Sequence, residues 1–105
     1  MDEAQREQAI YNLGTILEIN SSDNERLLNL YLTRAIDLVK NECNIKILPV
    51  DSFSLIEDIS IFLYRNKGIE NIKSEGKGSL SEAFHESLPK DYISRMNKFK
   101  RLRFL

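Results

Sequence analysis

The side chains that could support catalysis are few, and their spacing matches no recognised catalytic or metal site. His85 is the only histidine among the 105 residues, and it stands beside Glu86 without a serine or cysteine nucleophile on a recognisable elbow. Cys43 is the only cysteine, which excludes an internal disulfide, and no CxxC or HxxxH spacing indicates a zinc site. Glu57 and Asp58 are adjacent, so on a helix they point in different directions, and we predict a solvated face rather than a catalytic pair. We therefore expect no catalytic residues, no metal and no cofactor, and we interpret Cys43 as a small buried hydrophobic residue.

A glycine-containing stretch, Gly76-Lys77-Gly78-Ser79, is only superficially similar to a phosphate-binding loop. The Walker pattern needs a glycine five residues before its Gly-Lys pair and a hydroxyl directly after the lysine. Asn71 and Gly78 stand in those two positions, and no apolar strand precedes the stretch. We interpret these glycines as residues that let a loop bend or reach.

The basic C-terminal segment is the main candidate for a function. Five lysines and arginines occur between residues 95 and 103 without an acid among them, and apolar side chains alternate with them. Three interpretations stay open: a solvated helix end whose cations suit the helix dipole, phosphate contacts with a nucleic acid, and a protein interface. The interleaved aromatic and leucine side chains favour the interface. The candidate docking residues are Arg95, Lys98, Phe99, Lys100, Arg101, Leu102, Arg103, Phe104 and Leu105.

The charge of the chain is divided between its two parts. Residues 1–60 carry eleven acids and five bases, whereas residues 61–105 carry five acids and ten bases, for a net charge of −1. Such a polarised chain can pair with copies of itself or with an anionic partner. The acidic N-terminus is unlike a secretory signal, and no apolar run approaches the roughly 20 residues that span a bilayer. We expect a soluble protein, made in the cytoplasm, that does not contact a membrane.

The elements that must position the basic segment are predicted to be helices, which gives an all-α fold. The length of the chain predicts one domain over residues 1–105. Hydrophobic periodicity predicts a bundle of helices over about 3–68. The first helix covers 3–18. The second runs from a capping box formed by Ser22 and Glu25 to about Cys43, and the third begins at Asp51 or Ser52.

The remaining residues divide into an arm and a last helix. Gly68 is predicted to end the third helix. Residues 69–88 read as an irregular loop or a short β segment. Pro89 suits the first turn of a fourth helix over 89–105. The fold class is thus a small bundle of about four helices with an irregular arm before the last one.

Several degenerate motifs follow one another in an order that resembles a known family. They are Leu27-Leu28-x-x-Tyr31-Leu32-x-x-Ala35, Leu48-Pro49, Leu63-Tyr64-Arg65-Asn66-Lys67-Gly68, Lys73-Ser74-Glu75-Gly76, Ser79-Leu80-Ser81 with Phe84, and Leu88-Pro89 leading to Lys100-Arg101-Leu102-Arg103. Their order, spacing and length resemble those of the small head–tail connector proteins of tailed phages with long non-contractile tails. These proteins are also called adaptor, head-completion or DNA-packaging proteins.

The resemblance implies a virion protein without catalytic residues. It implies a helical bundle that forms a ring, commonly a dodecamer, in the neck under the portal, with DNA as passing cargo in its channel. A head-stopper or another tail-side neck protein would bind next, and synthesis would take place in the cytoplasm of a bacterial host. The resemblance associates portal contact with Pro89–Leu105 and with the preceding loop. The residues of this flexible docking loop are Lys73, Gly76, Lys77, Gly78, Leu80 and Phe84.

A second hypothesis comes from a different class, a small phage-encoded nucleic-acid-binding regulatory protein. It predicts an affinity for DNA that falls with salt as several lysines and arginines release counterions from phosphates. The connector hypothesis predicts instead that the isolated chain is monomeric or weakly associated and acts by docking.

Overall fold

The computed structural model describes residues 1–66 and 88–100, and these residues form four α-helices and one 3-10 turn. The helices are α1 (Glu3–Leu17), α2 (Glu25–Cys43), α3 (Phe53–Arg65) and α4 (Lys90–Asn97), with the 3-10 turn at Val50–Ser52. This part of the chain contains no strand, and the predicted all-α fold is confirmed. The predicted loop or β segment falls almost entirely on residues 67–87, which lie outside the described part.

The central element is α3, which packs against α1, α2 and α4. It is therefore buried on more sides than the single apolar stripe that helical spacing gives, which comprises Phe53, Ile56, Ile59, Phe62 and Leu63. The additional buried residues of α3 are Leu55, Ser60 and Ile61. The Ser60 hydroxyl tolerates this burial because it donates to the Ile56 carbonyl oxygen at 2.8 Å.

Helix α2 supplies most of the other half of the core. Its fully or nearly fully buried residues are Leu28, Tyr31, Leu32, Ala35, Ile36, Leu38, Val39 and Cys43. They repeat at the helical spacing from which this helix was predicted. Tyr31 packs edge-on against Tyr64 of α3 with ring centroids 6.2 Å apart. On its other side α2 meets α1, where Arg6 donates to the Thr33 hydroxyl.

The capping box predicted for α2 is wrong. The helix begins at Glu25 after Asn24, which makes no side-chain capping bond. Ser22 instead belongs to a turn that Asn20 holds together, because Asn20 accepts from the Asp23 amide at 3.0 Å and from the Asn24 side chain at 2.8 Å. The short polar side chain of Asn20 competes with helix formation in this stretch.

A capping box does occur, at the start of α1. The Asp2 carboxylate accepts from the Gln5 amide at 2.8 Å, while the Gln5 side chain accepts from the Asp2 amide at 2.9 Å. At the other end, Glu18 adopts the left-handed conformation that turns the chain back. The chain then passes so close to Gly14 that a Cβ there would lie 2.8 Å from Cβ of Ser21. Gly14 therefore permits the tight turn that places α2 against α1.

The connector between α2 and α3 is held in place by its backbone conformation, by burial and by hydrogen bonds. Asn44 ends α2 in the left-handed conformation, and Leu48 is buried in the core. Ser52 stands before α3, as predicted, but its hydroxyl donates to the Pro49 carbonyl oxygen at 2.6 Å rather than capping the helix. Helix α3 ends at Arg65, where the Asn66 side chain donates to the Phe62 carbonyl oxygen at 2.9 Å. The predicted stop at Gly68 lies outside the described residues.

Helix α4 is shorter than the predicted 89–105. It starts directly after Pro89 and ends at Asn97, and residues 98 and 99 form a turn. The amide of Phe99 donates to the Met96 carbonyl oxygen at 2.9 Å, three residues back instead of four. This tightening lets Phe99 fold against the core, so a tertiary contact ends a helix that periodicity alone would continue.

Candidate functional site

The C-terminal segment is seated on the bundle by two buried side chains. Leu88, just before α4, and Met96, in its last turn, are 6% and 2% exposed. Between them, Tyr92 packs edge-on against Phe62 of α3, with ring centroids 6.4 Å apart. Burial, reinforced by the nearby Asp58 carboxylate, raises the pKa of Tyr92 above its ordinary value. The start of the predicted docking segment is thus fixed to the core.

Arg95, the first predicted docking residue, lies in a contact within the chain. Its guanidinium donates to Asp58 of α3 at 2.6 Å and lies 3.8 Å from Asp91. It also lies 3.4 Å from the Ser54 hydroxyl and 5.9 Å from the centre of the Tyr92 ring. With 27% of its side chain exposed, Arg95 holds α4 on α3 and offers little surface to a partner.

The adjacent acids Glu57 and Asp58 have structural partners on opposite sides of α3. Glu57 accepts from the Asn12 side chain of α1 at 3.1 Å, whereas Asp58 binds Arg95 of α4. Burial raises the pKa of Glu57, and the neighbouring Asp58 carboxylate adds to that increase, although the bond from Asn12 opposes it. The two side chains do point apart, as predicted, but the predicted solvated face is wrong because both are half-buried.

Cys43 is fully buried, which confirms its interpretation as a small core residue. Its thiol donates to the Met96 carbonyl oxygen at 3.2 Å, across 53 positions of sequence. Burial raises the pKa of the Cys43 thiol, even though Lys100 acts in the opposite direction. Cys43 therefore joins the last turn of α2 to the last turn of α4.

Apart from Lys90 at the start of α4, the exposed basic side chains of the described segment lie after this helix. Lys98 and Lys100 are exposed on either side of Phe99, which is half-buried against the core. Aromatic side chains are enriched at protein interfaces, whereas lysines are depleted there, so Phe99 is the stronger interface candidate of these three residues. The other candidate docking residues, Arg101, Leu102, Arg103, Phe104 and Leu105, lie outside the described residues.

The loop residues singled out from the sequence also lie outside the described part. They are Lys73, Gly76, Lys77, Gly78, Leu80 and Phe84, together with His85 and the rest of the phosphate-loop-like stretch. In residues 1–66 and 88–100, no three histidine, cysteine, aspartate or glutamate side chains are grouped so that they could hold a metal ion. Within the same residues, no helix combines the length and the apolar character needed to cross a membrane.

Sequence reasoning missed the exposed apolar side chains. Ile47 and Val50, in the connector, are 85% and 70% exposed, although they flank the buried Leu48. At the other end of α2, Tyr11 and Leu30 are 63% and 47% exposed. The connector carries no periodic pattern, so which of its apolar residues turn outward could not be read from the sequence.

Leu30 and Tyr11 each line one of two surface grooves beside the start of α2, a region that we call the α1–α2 corner. One groove, of about 580 Å³, is lined by Asp23, Asn24, Arg26, Leu27, Asn29, Leu30 and Thr33. The other, of about 170 Å³, is lined by Glu7, Ile10, Tyr11, Ser21, Ser22 and Glu25. Both grooves combine an apolar wall with acidic side chains.

Comparison with known protein families gives one match. The model of a family described as phage gp6-like head-tail connector protein matches residues 9–100, which is most of the chain. No curated protein and no solved structure matches. The matched range contains all four helices of the bundle except the first turns of α1.

Proposed function

The chain belongs to the phage gp6-like head–tail connector family, and on that premise we propose that it is a structural subunit of the virion neck. In this role it docks under the portal and offers a platform to the next neck or tail protein. Copies assemble as a ring, commonly a dodecamer in this class of protein, around a channel through which DNA passes. The subunit is made in the cytoplasm of the bacterial host and catalyses no reaction.

The observation that carries the docking proposal is the way α4 is seated. Met96, Tyr92 and Arg95 fix the helix to α2 and α3. Lys98 and Lys100 then remain exposed at the point where the chain continues into its last five residues. A rigid base that ends in a basic and apolar segment suits a peptide-like anchor, because little of the base must be ordered on binding.

The seat of α4 also defines where a truncation should be made. Removing residues 95–105 would delete Met96, which is buried in the core, and Arg95, which binds Asp58. The loss of attachment would then be confused with unfolding. Removing residues 100–105 keeps both of these residues and Phe99. We expect this truncated chain to retain its helical content and cooperative unfolding but to lose attachment to purified portal complexes.

A charge variant gives a matched comparison. Lys98→Glu combined with Lys100→Glu should weaken attachment to the portal, whereas Lys90→Glu, an exposed lysine at the other end of α4, should not. If the truncated chain still supports full assembly of infectious particles, the docking role of the C-terminal segment is wrong.

The nucleic-acid-binding alternative has less support from the geometry. Arg95 is engaged by Asp58, so Lys98 and Lys100 are the exposed bases that the described end of the segment offers to phosphates. The two functions differ in salt dependence. A regulator should bind duplex DNA at low salt with a steep loss of affinity as salt rises, whereas a connector subunit in isolation should not.

A further inference from the structure

Two apolar surfaces at opposite ends of α2 indicate how copies of this chain meet. We propose that the connector of one copy, with Ile47 and Val50 as the inserted side chains, docks into the α1–α2 corner of a second copy. The proposal deepens the proposed function and rests on it, because it names the subunit–subunit contact of the assembly.

The connector holds Ile47 and Val50 in a rigid, exposed arrangement, and we call these two side chains the knob. Leu48 is buried and Ile45 is packed against the core, so the backbone between them is held in place. The amide and hydroxyl of Ser52 both donate to the Pro49 carbonyl oxygen, at 3.0 and 2.6 Å. Ile47 and Val50 are the two most exposed of the large hydrophobic residues in the described chain. A rigid, exposed apolar pair loses little conformational freedom when a partner covers it.

The α1–α2 corner has the size and lining to receive such a knob. Its larger groove, of about 580 Å³, is open at the surface. Leu27 and Leu30 supply apolar lining there. The smaller groove, of about 170 Å³, has Ile10 and Tyr11 among its lining residues and suits a single side chain.

The knob of one copy cannot occupy the corner of the same copy. The connector follows Cys43 at the end of α2, whereas the corner surrounds Glu25 at its start. The 19 residues of α2 separate these ends by about 27 Å at 1.5 Å per residue. Any contact between the two surfaces must therefore join different copies.

The charges at the two ends of α2 favour a head-to-tail arrangement. The exposed ionisable residues around the corner are Glu7, Asp23, Glu25 and Arg26. Those near the connector, including the residues that follow α4 where it meets the end of α2, are Lys46, Asp51, Lys98 and Lys100. The first end is net acidic and the second net basic, so contact between unlike ends is attractive and contact between like ends is repulsive. A head-to-tail contact of this kind generates a ring when its rotation closes.

Disulfide cross-linking tests the contact directly. A full chain carrying Leu30→Cys and Val50→Cys should form a ladder of dimers, trimers and higher species on mild oxidation, because each copy presents one half of the contact at each end. The experiment is done under two conditions. The first is the isolated chain at about 1 mM, where even contacts with millimolar Kd are populated, and the second is the purified neck complex. Native Cys43 is buried and should take no part. The single variants should give dimers at most.

A second set of variants separates this contact from general surface effects. Adding Ile47→Asp should lower the yield of the ladder about tenfold or more, because the knob can no longer be buried favourably. Ile16→Asp, the same change at another exposed isoleucine (48%), should leave the ladder intact. Glu25→Lys and Lys46→Glu should each weaken it, and the two together should restore it. Unfolding by urea of each variant verifies that the fold is kept.

The possible outcomes distinguish a failure of the proposed contact from a failure of the proposed function. Absence of a ladder under both conditions, or equal losses from Ile47→Asp and Ile16→Asp, overturns the proposed contact. If the chain nevertheless forms a ring at the neck, the proposed function stands without it. If the ladder forms but the chain is absent from the neck of the particle, the contact stands and the proposed function falls.

Discussion

Breaking the pair between Arg95 and Asp58 should loosen α4 from α3, because this is the one ion pair between these two helices that the described residues show. The guanidinium and the carboxylate are 2.6 Å apart, which is a short charge-assisted hydrogen bond. Their side chains are 27% and 37% exposed, so water screens part of the attraction. Fully exposed pairs contribute about 0.2–1 kcal/mol, and hydrogen bonds to charged groups about 1.5–3 kcal/mol. We therefore expect a coupling free energy of about 1 kcal/mol.

The two single variants should differ. Asp58→Ala leaves Arg95 with Asp91 and Ser54 as neighbours, at 3.8 and 3.4 Å, so it should lower the free energy of unfolding by about 1 kcal/mol. Arg95→Ala also removes the contact with the Tyr92 ring, and we expect it to cost about 1.5–2 kcal/mol.

A double-mutant cycle measures the coupling. Urea unfolding of the wild type, both single variants and the double variant, followed by far-UV circular dichroism, gives the four free energies. High salt should reduce the coupling. Lys90→Ala, at an exposed position of the same helix, is the matched control and should stay within about 0.5 kcal/mol of the wild type. Additive single effects, with a coupling below about 0.3 kcal/mol, would refute the inference that this pair anchors the docking segment.

Three further predictions concern the bundle. Gly14→Ala should lower the free energy of unfolding by about 1–2 kcal/mol, because overpacking against Ser21 outweighs the roughly 1 kcal/mol gain in helix propensity. Adding Ser21→Gly should recover part of this loss, as measured by urea unfolding. If Gly14→Ala instead stabilises the chain, the turn has room for the added methyl group and the reasoning is wrong. Burial raises the pKa of Glu57 in the folded chain above its ordinary value of 4.5. The folded chain therefore holds this proton more tightly than the unfolded chain, and the free energy of unfolding falls as pH rises from 4.5 through the folded pKa. Glu57→Gln should therefore gain stability relative to the wild type across that window of the pH profile, and identical profiles would contradict it. Cys43, buried with a raised pKa, should react with a thiol reagent many times more slowly in the native chain than in denaturant, and equal rates would mean that α4 does not cover it.

The sequence predicted those parts of the fold that depend on local periodicity. The apolar side chains of α2 repeat at helical spacing from Leu28 to Cys43, over about four turns, and this repeat predicted the helix. The start of α2 was predicted wrongly because the capping-box pattern is local and does not show a competing turn. Ser22 lies in a turn that is held by Asn20, whereas Asp2 with Gln5 does form a capping box at the start of α1. That turn passes close to Gly14, which is a tertiary contact that the pattern does not reveal.

The candidate site depends on contacts that span the sequence. Cys43 meets Met96, and Asp58 meets Arg95, over separations of 53 and 37 residues. A helical pattern places Arg95 on a basic face, but only the packed structure shows that α3 already supplies an anion for it. The same limit applies to Ile47, whose exposure follows from how its neighbour Leu48 enters the core. The family, in contrast, was recognisable from the order and spacing of degenerate motifs, and the match over residues 9–100 confirms it.

The most direct test of the structural role is electron microscopy of the neck of purified particles from the phage that encodes this chain, or of its isolated portal complexes. We predict a closed ring of copies of this helical bundle under the portal, with density for the C-terminal segment reaching the portal and a clear channel along the axis. Particles whose neck lacks this chain, or contains it without a ring against the portal, would contradict the proposed function.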